Sequence, residues 1–275
     1  MFENILKNVE EKTPLVHCIT NYVTVNDVAN MILACKGSPI MADDAAEVED
    51  ITSICNALVI NIGTLNERTI ESMILAGKKA NELGHPVILD PVGAGASKLR
   101  TETTFRLLKE VKFTVIRGNI SEIKTVYAGS GTTKGVDADV ADAVTKENLL
   151  STIAFAKELS KRTGAVIAIT GAIDIVTDGT MAYSIYNGDK AMAQITGTGC
   201  MLSGVIGAYV GANSNEALQA TAAAIAAEGL CGEIGAEKVQ KEQSGSSSLR
   251  MHIIDAMSRM DAQTLSGGIK IEEHR

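Results

Sequence analysis

Aromatic residues are scarce in this chain of 275 residues, which contains no tryptophan and only 3% Phe, Trp and Tyr. Proteins that hold single-stranded nucleic acid or polysaccharide do so largely by stacking bases or sugars on aromatic rings. This shortage argues against a polymer-binding site of that kind. Positive charge is also short, because 25 Lys and Arg face 33 Asp and Glu, which leaves a net charge of −8. That balance argues against bulk binding of nucleic acid or of an anionic membrane.

Long apolar runs and paired cysteines are absent as well. No uninterrupted apolar stretch reaches the length of about 18 residues that a membrane-spanning helix needs. The first residues carry several acids and no long apolar core, unlike a secretory signal peptide. Five cysteines occur without a CxxC pair or a Cys/His cluster at zinc-ligand spacing, which indicates reduced thiols. We therefore expect a cytoplasmic protein without disulfides.

Short apolar runs alternate along the chain with longer segments of helical periodicity. The runs are apolar throughout, as in strands that helices cover on both faces. They are residues 15–19, 57–62, 86–89, 113–116 and 165–169. Residues 67–82 and 145–162 have the helical period, and Gly84 and Gly164 follow them as stop signals. This alternation predicts an α/β fold with a mainly parallel sheet and right-handed crossovers.

The pattern changes in the second half of the chain. Residues 173–177 and 181–185, joined across Asp178-Gly179, predict an antiparallel hairpin at the edge of the sheet. No linker or change of composition divides the chain, so we expect a single domain over residues 1–275.

After Cys200 the sequence predicts helix nearly to the end of the chain. Residues 237–248 are polar and contain a Gly-Ser-Ser-Ser run, which is typical of a loop. We expect Ser248 or a neighbour to cap a helix that continues through Met260.

Ligands of open α/β sheets bind beyond the carboxyl ends of the strands. Polar residues or glycines follow every predicted strand, and the longest such segment is LDPVGAG, with Asp90 directly after its strand. Asp90 either caps a tight turn or marks a metal or phosphate position, where glycines let the backbone approach a ligand. Neither a GxGxxG dinucleotide fingerprint after a strand nor a Walker A loop occurs, so any nucleotide is bound in another way.

The segment RGNISEI follows the fourth run and allows two interpretations. Asn119 and Glu122 are spaced as a capping box at the start of a helix. Alternatively, Asn119 and Glu122 lie near Asp90 around a hydrated Mg²⁺, an ion that usually takes one or two carboxylates together with phosphate and water. Arg117 would then face the phosphates.

The segment ITGTGCMLSG is the most specific part of the sequence. A Gly-x-Gly turn that opens an apolar helix directs the backbone N–H groups of Gly197, Thr198, Gly199 and Cys200 to one spot. Such an anion hole suits a phosphoryl group in transfer. Cys200 lies in the first turn, where the pKa of a thiol tends to fall and the group can act as base or nucleophile. The alternative is that Cys200 only packs the start of the helix.

Together these segments resemble the hydroxyethylthiazole kinases, a family of the ribokinase-like superfamily. The resemblance runs in order through PLVHCITNYVT, SPIMADDAAEVEDI, ALVINIGTL, PVILDPVGAGAS, RGNISEI, VIAITGAIDIVTDG and ITGTGCMLSG. Most ribokinase-like enzymes have a catalytic aspartate at the end of the glycine turn, whereas the thiazole kinases typically have the cysteine that is found here as Cys200. The resemblance implies a three-layer α/β/α ribokinase-like fold with a mainly parallel central sheet and an antiparallel edge.

The resemblance also implies an activity and its residues. The activity is ATP-dependent phosphorylation of the primary hydroxyl of 4-methyl-5-(2-hydroxyethyl)thiazole, a thiamine salvage reaction, in a homotrimer with active sites at the subunit interfaces. Cys200 stands at the position of the catalytic base. The remaining implied residues are Arg117, Thr170 and Asn119 at ATP, Asp90 and Glu122 at Mg²⁺, and Met41, Gly197 and Asn21 at the thiazole alcohol. The chain has ITNYVT where the family usually has a sequence like ITNNVV. The resemblance therefore implies a site role for Asn21 but not for Tyr22 or Thr24.

Other functions remain open on the sequence alone. A hydroxymethylpyrimidine kinase and an ATP- or ADP-dependent NAD(P)H-hydrate dehydratase share the fold, but these usually have aspartate where Cys200 stands. A cysteine acyl transferase or hydrolase would pair Cys200 with a histidine such as His17, for which a structural role is the simpler interpretation. A binding module without catalysis would leave Cys200, Asp90 and Glu122 unexplained.

Overall fold

The computed structural model describes residues 2–129 and 143–275, which form a central sheet with helices on both faces. The predicted α/β arrangement is confirmed. The strands are β1 Leu15–Ile19, β2 Ser38–Ile40, β3 Ala57–Asn61, β4 Val87–Asp90, β5 Val115–Asn119, β6 Val166–Thr170, β7 Asp174–Thr177, β8 Ala182–Ile185 and β9 Ile271–His274. The helices are α1 Glu3–Lys12, α2 Val25–Ala34, α3 Val48–Ile54, α4 Glu67–Leu83, α5 Lys98–Glu110, α6 Ile120–Gly129, α7 Leu149–Thr163, α8 Thr198–Ala212, α9 Ala217–Glu242, α10 Ser246–Ser258 and α11 Ala262–Gly268. Two short 3₁₀ helices, Lys190–Gln194 and Ser214–Glu216, flank α8.

The sheet has the order β2-β1-β3-β4-β5-β6-β7-β8-β9 within the described ranges. Strands β1 to β6 pair in parallel. The last three strands pair antiparallel, with the predicted hairpin of β7 and β8 next to β6 and with β9 outside it. The mainly parallel sheet with an antiparallel edge is therefore confirmed.

Each apolar strand contributes side chains to two separate cores. In β4, Ile88 packs into the core beneath α1, α2, α8, α9 and α10, whereas Val87 and Leu89 pack into the core beneath the helices α3 to α7. Successive side chains of a strand point to opposite faces, so a strand covered on both faces must be apolar throughout. None of the helices in the described ranges is long and apolar enough to cross a membrane.

Two strands lack a signal in the sequence. The edge strand β2 has three residues and contains Pro39, which a sheet tolerates at its edge. The other edge strand, β9, is mostly polar, with Glu272 and Glu273 exposed to solvent. The expectation of helix nearly to the end of the chain is confirmed, because α8 to α11 reach Gly268 and β9 alone follows among the described elements.

The prediction of a polar loop over residues 237–248 is wrong, because α9 continues to Glu242 and α10 begins at Ser246. The extension carries an ion pair one helical turn apart, with Lys241 Nζ 2.6 Å from Glu237 Oε1. Gln243 ends α9 in the left-handed conformation at φ 53°. Ser248 lies inside α10 and does not cap it; Gly245 precedes the helix without a side-chain cap.

Candidate active site

The carboxyl ends of the parallel strands meet at one edge of the sheet, as the sequence predicts. The strand register pairs Asn61 at the end of β3 with Asp90 at the end of β4, and Asn119 with Thr170 at the ends of β5 and β6. Asn21 follows β1, and its Nδ2 donates to Asn61 Oδ1 at 3.2 Å. These polar side chains therefore form one contiguous group.

The start of α8 faces this group through its two glycines. Gly197 precedes the helix at φ 92°, a left-handed conformation, and a Cβ at this residue would lie 2.6 Å from Thr24 Cγ2. A Cβ at Gly199 would lie 2.6 Å from Arg117 Nη1. Gly197 therefore requires glycine, because a side chain there would be strained, whereas a side chain at Gly199 would displace the Arg117 guanidinium. The first N–H groups of a helix have no partner within it, so those of α8 remain available to a ligand.

Cys200 lies in the first turn of α8 and is buried among amides. Its Sγ accepts hydrogen bonds from Asn21 Nδ2 at 3.0 Å and from Asn61 Nδ2 at 3.3 Å. Burial raises the pKa of the Cys200 thiol, and the nearby charge of Asp90 raises it further, although hydrogen bonds to the sulfur oppose both. The expected lowering of this pKa by the helix start is therefore wrong, because loss of solvent outweighs it.

Asp90 is a fully buried carboxylate at the centre of the group. Its Oδ2 accepts from Asn61 Nδ2 and Ser203 Oγ, each at 2.8 Å, and lies 3.5 Å from Arg117 Nη1. Its Oδ1 has no hydrogen-bond partner among the described residues. Burial raises the pKa of Asp90 to about 6, against the opposing effect of the Arg117 charge.

Glu122 makes the capping box that the sequence allows. Its Oε2 accepts from Asn119 N at 2.8 Å, and Asn119 Oδ1 accepts from Glu122 N at 2.9 Å. Its Oε1 accepts from Gly93 N at 2.8 Å, which ties α6 to the glycine turn after Asp90. Glu122 is buried, whereas Asn119 is exposed to solvent.

Arg117 separates two cavities. Its Nη2 donates to Thr170 Oγ1 at 2.7 Å, and Arg117 and Gly199 line both cavities. The first cavity, of about 520 Å³, is lined by residues that include Thr170, Thr198 and Glu228. The second cavity, of about 370 Å³, is lined by residues that include Asn21, Gly197, Cys200, Asp90, Asn119 and Glu122.

The arrangement fits a hydrated divalent cation better than a cage of protein ligands. Among the described residues, no three His, Cys, Asp or Glu side chains are grouped to hold a metal. However, Asp90 Oδ1 is a buried oxygen without a partner, and Asp90 and Glu122 line the same cavity. Mg²⁺ retains waters and binds through one or two carboxylates and substrate phosphates, so two carboxylates suffice.

Met41 and His17 lie apart from the cavity residues. Met41 follows β2, is half-buried against the core, and does not line either cavity. His17 is buried in β1, with Nδ1 2.9 Å from Thr52 Oγ1 and Nε2 2.8 Å from the Ala42 carbonyl oxygen. Both ring nitrogens of His17 are thus engaged away from Cys200, which confirms its structural role and removes the cysteine–histidine pair.

Sequence reasoning did not include Asn61, Ser203 or Thr24 among the site residues. Thr24 Oγ1 donates to Asn21 Oδ1 at 3.1 Å. Asn61 ends a strand of the parallel sheet, which is the same signal that identified Asp90. Ser203 follows Cys200 by three residues and so lies on the same side of α8, a spacing that could have indicated it.

Structural comparison shows that the chain has the fold of ribokinase-like proteins. A ribokinase-like superfamily protein from Enterococcus faecalis superposes with a TM-score of 0.61 over 94% of this chain and 95% of its own, at 10% identity, a likeness of fold. A hydroxyethylthiazole kinase protein from Pyrococcus horikoshii superposes with a TM-score of 0.87 at 34% identity, over 100% of this chain and 99% of its own.

Sequence comparison defines the family. The model of the hydroxyethylthiazole kinase family matches residues 6–263. The hydroxyethylthiazole kinase of Clostridium acetobutylicum is 58% identical over 274 residues, which cover 100% of both chains. That of Desulfovibrio desulfuricans is 51% identical over 272 residues, which cover 96% of this chain and 95% of its own. The chain belongs to the hydroxyethylthiazole kinase family and is therefore a phosphotransferase that acts on a small molecule.

Proposed function

We propose that the chain transfers the terminal phosphoryl group of ATP to the primary hydroxyl of 4-methyl-5-(2-hydroxyethyl)thiazole. The family and the names of its relatives support the reaction. One observation carries the assignment of the site, namely that the start of α8 lies between the two cavities. Thr198 and Gly199 line the first, and Gly197, Gly199 and Cys200 line the second. A nucleotide in the first cavity and an alcohol in the second would meet at the backbone amides of this helix start.

The phosphates of ATP would be held from two sides. Arg117 offers a planar guanidinium, and Thr170, already bonded to it, fixes its orientation. Asn119 offers an amide at the rim of the second cavity. The amides of residues 197–200 would form the anion hole, where the helix dipole adds partial positive charge. Phosphoryl transfer depends mainly on such positioning and charge stabilisation.

Asp90 and Glu122 would hold Mg²⁺ at the second cavity. When bound, the ion would neutralise negative charge on the phosphate oxygens. Asn61 and Ser203 both donate to Asp90 Oδ2, so they leave Oδ1 as the oxygen of this carboxylate that is free to bind the ion.

Cys200, in its thiolate form, would accept the proton of the substrate hydroxyl and become a neutral thiol. In a loose transition state this proton leaves late, so a weak base suffices. Asn21 and Asn61 direct N–H donors at the sulfur, and such donors favour the thiolate against the effect of burial. They also hold the sulfur in place at the wall of the second cavity.

The thiazole would contact Met41, Gly197 and Asn21, in a homotrimer whose active sites lie at subunit interfaces. The resemblance to the thiazole kinases supports this assembly. The surface of the single chain is consistent with it, because Tyr22 and Val23, next to Asn21, are 75% and 62% exposed. Large exposed apolar side chains at a site are typical of a protein interface.

A coupled assay of ADP release with a panel of thiazole and pyrimidine alcohols tests the proposal. We expect turnover with the hydroxyethylthiazole and little with a hydroxymethylpyrimidine. Turnover with the pyrimidine alone would overturn the choice of acceptor in favour of a hydroxymethylpyrimidine kinase. Family membership already decides against the dehydratase.

A further inference from the structure

Arg100 is a basic residue of the second cavity to which the proposed chemistry gives no role. It lies in α5, is half-buried, and lines the cavity together with Asp90 and Glu122. Its Nη1 donates to the Val92 carbonyl oxygen at 3.2 Å, and its Nη2 donates to the Gly63 carbonyl oxygen at 2.7 Å. One guanidinium therefore joins the loop after β4 to the loop after β3.

The peptide group between Val92 and Gly93 connects Arg100 to Glu122. Its carbonyl oxygen accepts from Arg100, and its N–H, which belongs to Gly93, donates to Glu122 Oε1 at 2.8 Å. The carbonyl and the N–H of a planar peptide move together, so a donor that fixes one also fixes the direction of the other. Hydrogen bonds in such a chain polarise one another, so the charge of Arg100 makes the Gly93 N–H a better donor to the carboxylate.

Gly93 lets the guanidinium lie directly against this peptide. The residue has the left-handed conformation at φ 71°, and a Cβ there would overlap Arg100 Nη1. Within the turn, Ala94 N donates to the Pro91 carbonyl oxygen, which closes the turn on itself. The bonds to Arg100 and Glu122 instead tie the turn to α5 and α6. The direction of the Gly93 N–H therefore depends on Arg100.

Glu122 keeps the capacity to bind an ion while it makes these bonds. Its Oε1 accepts from Gly93 N and its Oε2 from Asn119 N. A carboxylate oxygen has two lone pairs, so each oxygen can still bind Mg²⁺ or one of its waters. The two backbone donors also fix the plane of the carboxylate, which lowers the entropy lost when an ion binds.

We propose that Arg100 is a positioning residue that orients the Glu122 carboxylate for Mg²⁺ through the Val92–Gly93 peptide. Removal of a group that supports a metal-binding residue typically lowers metal affinity or activity by about 10- to 100-fold. Arg100 acts through one intervening peptide, so we expect the low end of this range. The inference rests on the proposed function, because it takes Glu122 as a metal-binding residue.

Arg100→Met tests the inference, with Arg106→Met as the matched control. Arg106 lies on the same helix and also bonds two partners, Glu71 and Glu110, but it does not line the second cavity. Arg100→Met should raise the Mg²⁺ concentration for half-maximal activity by about tenfold, with little change in kcat at saturating Mg²⁺. Arg106→Met should keep the Mg²⁺ dependence of the wild type. Arg100→Lys keeps the charge but lacks the planar fork that reaches two carbonyl oxygens, so its shift should be smaller than that of Arg100→Met.

The double variant Arg100→Met/Glu122→Gln separates positioning from a general structural role. If Arg100 acts through Glu122, the double variant should show the Mg²⁺ shift of Glu122→Gln alone, because the carboxylate to be oriented is already lost. Two outcomes overturn the inference. One is a double variant in which the two single shifts multiply, and the other is wild-type Mg²⁺ dependence in Arg100→Met beside a shift in Glu122→Gln.

Calorimetric titration with ADP, with and without Mg²⁺, measures the same contrast without turnover. Arg100→Met should lose most of the ADP affinity that Mg²⁺ adds in the wild type, and it should bind ADP without Mg²⁺ as the wild type does. An equal loss under both conditions would contradict the inference.

The two assays also separate the inference from the proposed function. If the wild type phosphorylates no thiazole alcohol but the calorimetric pattern holds, the proposed acceptor is wrong and the inference is supported. If Glu122→Gln leaves the Mg²⁺ dependence unchanged in both assays, the metal assignment of the proposed function is wrong, and the inference fails with it.

Discussion

Ser203 should contribute more to stability than a buried serine that lacks a carboxylate partner. Its Oγ lies 2.8 Å from Asp90 Oδ2, and both residues are fully buried. Ser72 on α4 offers a matched comparison, since it is equally buried and its Oγ donates to the Arg68 carbonyl oxygen at 3.0 Å. We therefore compare Ser203→Ala with Ser72→Ala.

The expected magnitudes follow from the partners. A hydrogen bond to a charged group contributes about 1.5–3 kcal/mol, whereas one to a neutral group contributes about 0.5–1.5 kcal/mol. Ser203→Ala should thus reduce the free energy of unfolding by about 1–1.5 kcal/mol more than Ser72→Ala. Loss of the Ser203 donor also raises the pKa of Asp90 beyond about 6, because that bond stabilises the ionised carboxylate.

Equilibrium urea denaturation at pH 8 and pH 5 measures both effects. At pH 8 Asp90 is ionised and the full difference between the two variants should be present. As the pH falls through the pKa of Asp90, the carboxylate is protonated, the charge-assisted bond weakens, and the difference should shrink. Equal losses for the two variants at pH 8 would show that this hydrogen bond does not hold a charged Asp90, and the reasoning would fail.

Five further substitutions, at four residues, examine the proposed mechanism. Cys200→Ala should lower kcat by roughly 100-fold, as expected for loss of a general base, and Cys200→Ser should lose less because the hydroxyl can still accept from the neighbouring amides; wild-type turnover in both would remove the base assignment. Gly199→Ala should raise the KM for ATP by about tenfold, since its Cβ would displace the Arg117 guanidinium; a wild-type KM would place the nucleotide elsewhere. Asp90→Ala and Glu122→Ala should both shift the Mg²⁺ titration of activity to higher concentration, and titrations indistinguishable from wild type would remove the metal assignment.

The parts of the fold that the sequence predicts are those under strong hydrophobic constraint. Strands such as β3 must be apolar throughout because they supply two cores, and their runs were recognised for this reason. The edge strands β2 and β9 are under less of this constraint, since each pairs with one neighbour within the described part of the chain, and they are largely polar or very short. Their pairing depends on tertiary contacts, so no local sequence pattern predicts it.

The sequence predicts those site residues that directly follow an apolar run of the parallel sheet. Asp90, Arg117 and Thr170 each follow a predicted apolar run; Asp90 and Thr170 end strands β4 and β6, whereas Arg117 lies in the middle of β5. The pKa of Cys200 was predicted with the wrong sign, because the helix start is visible in the sequence whereas burial beside Asp90 is not. Glu228 carries no local signal at all, since a single acid in an alanine-rich helix is ordinarily a solvated residue.

The position of Arg117 makes the two cavities interdependent. One guanidinium nitrogen donates to Thr170 and the other lies near Asp90, and the side chain forms a wall of both cavities. A ligand that draws the guanidinium toward itself alters the electrostatic potential at Asp90. A change of charge at Asp90 in turn alters the affinity of Arg117 for that ligand. Thermodynamic linkage then requires each ligand to change the affinity of the other by the same factor, so a single coupling free energy describes both effects.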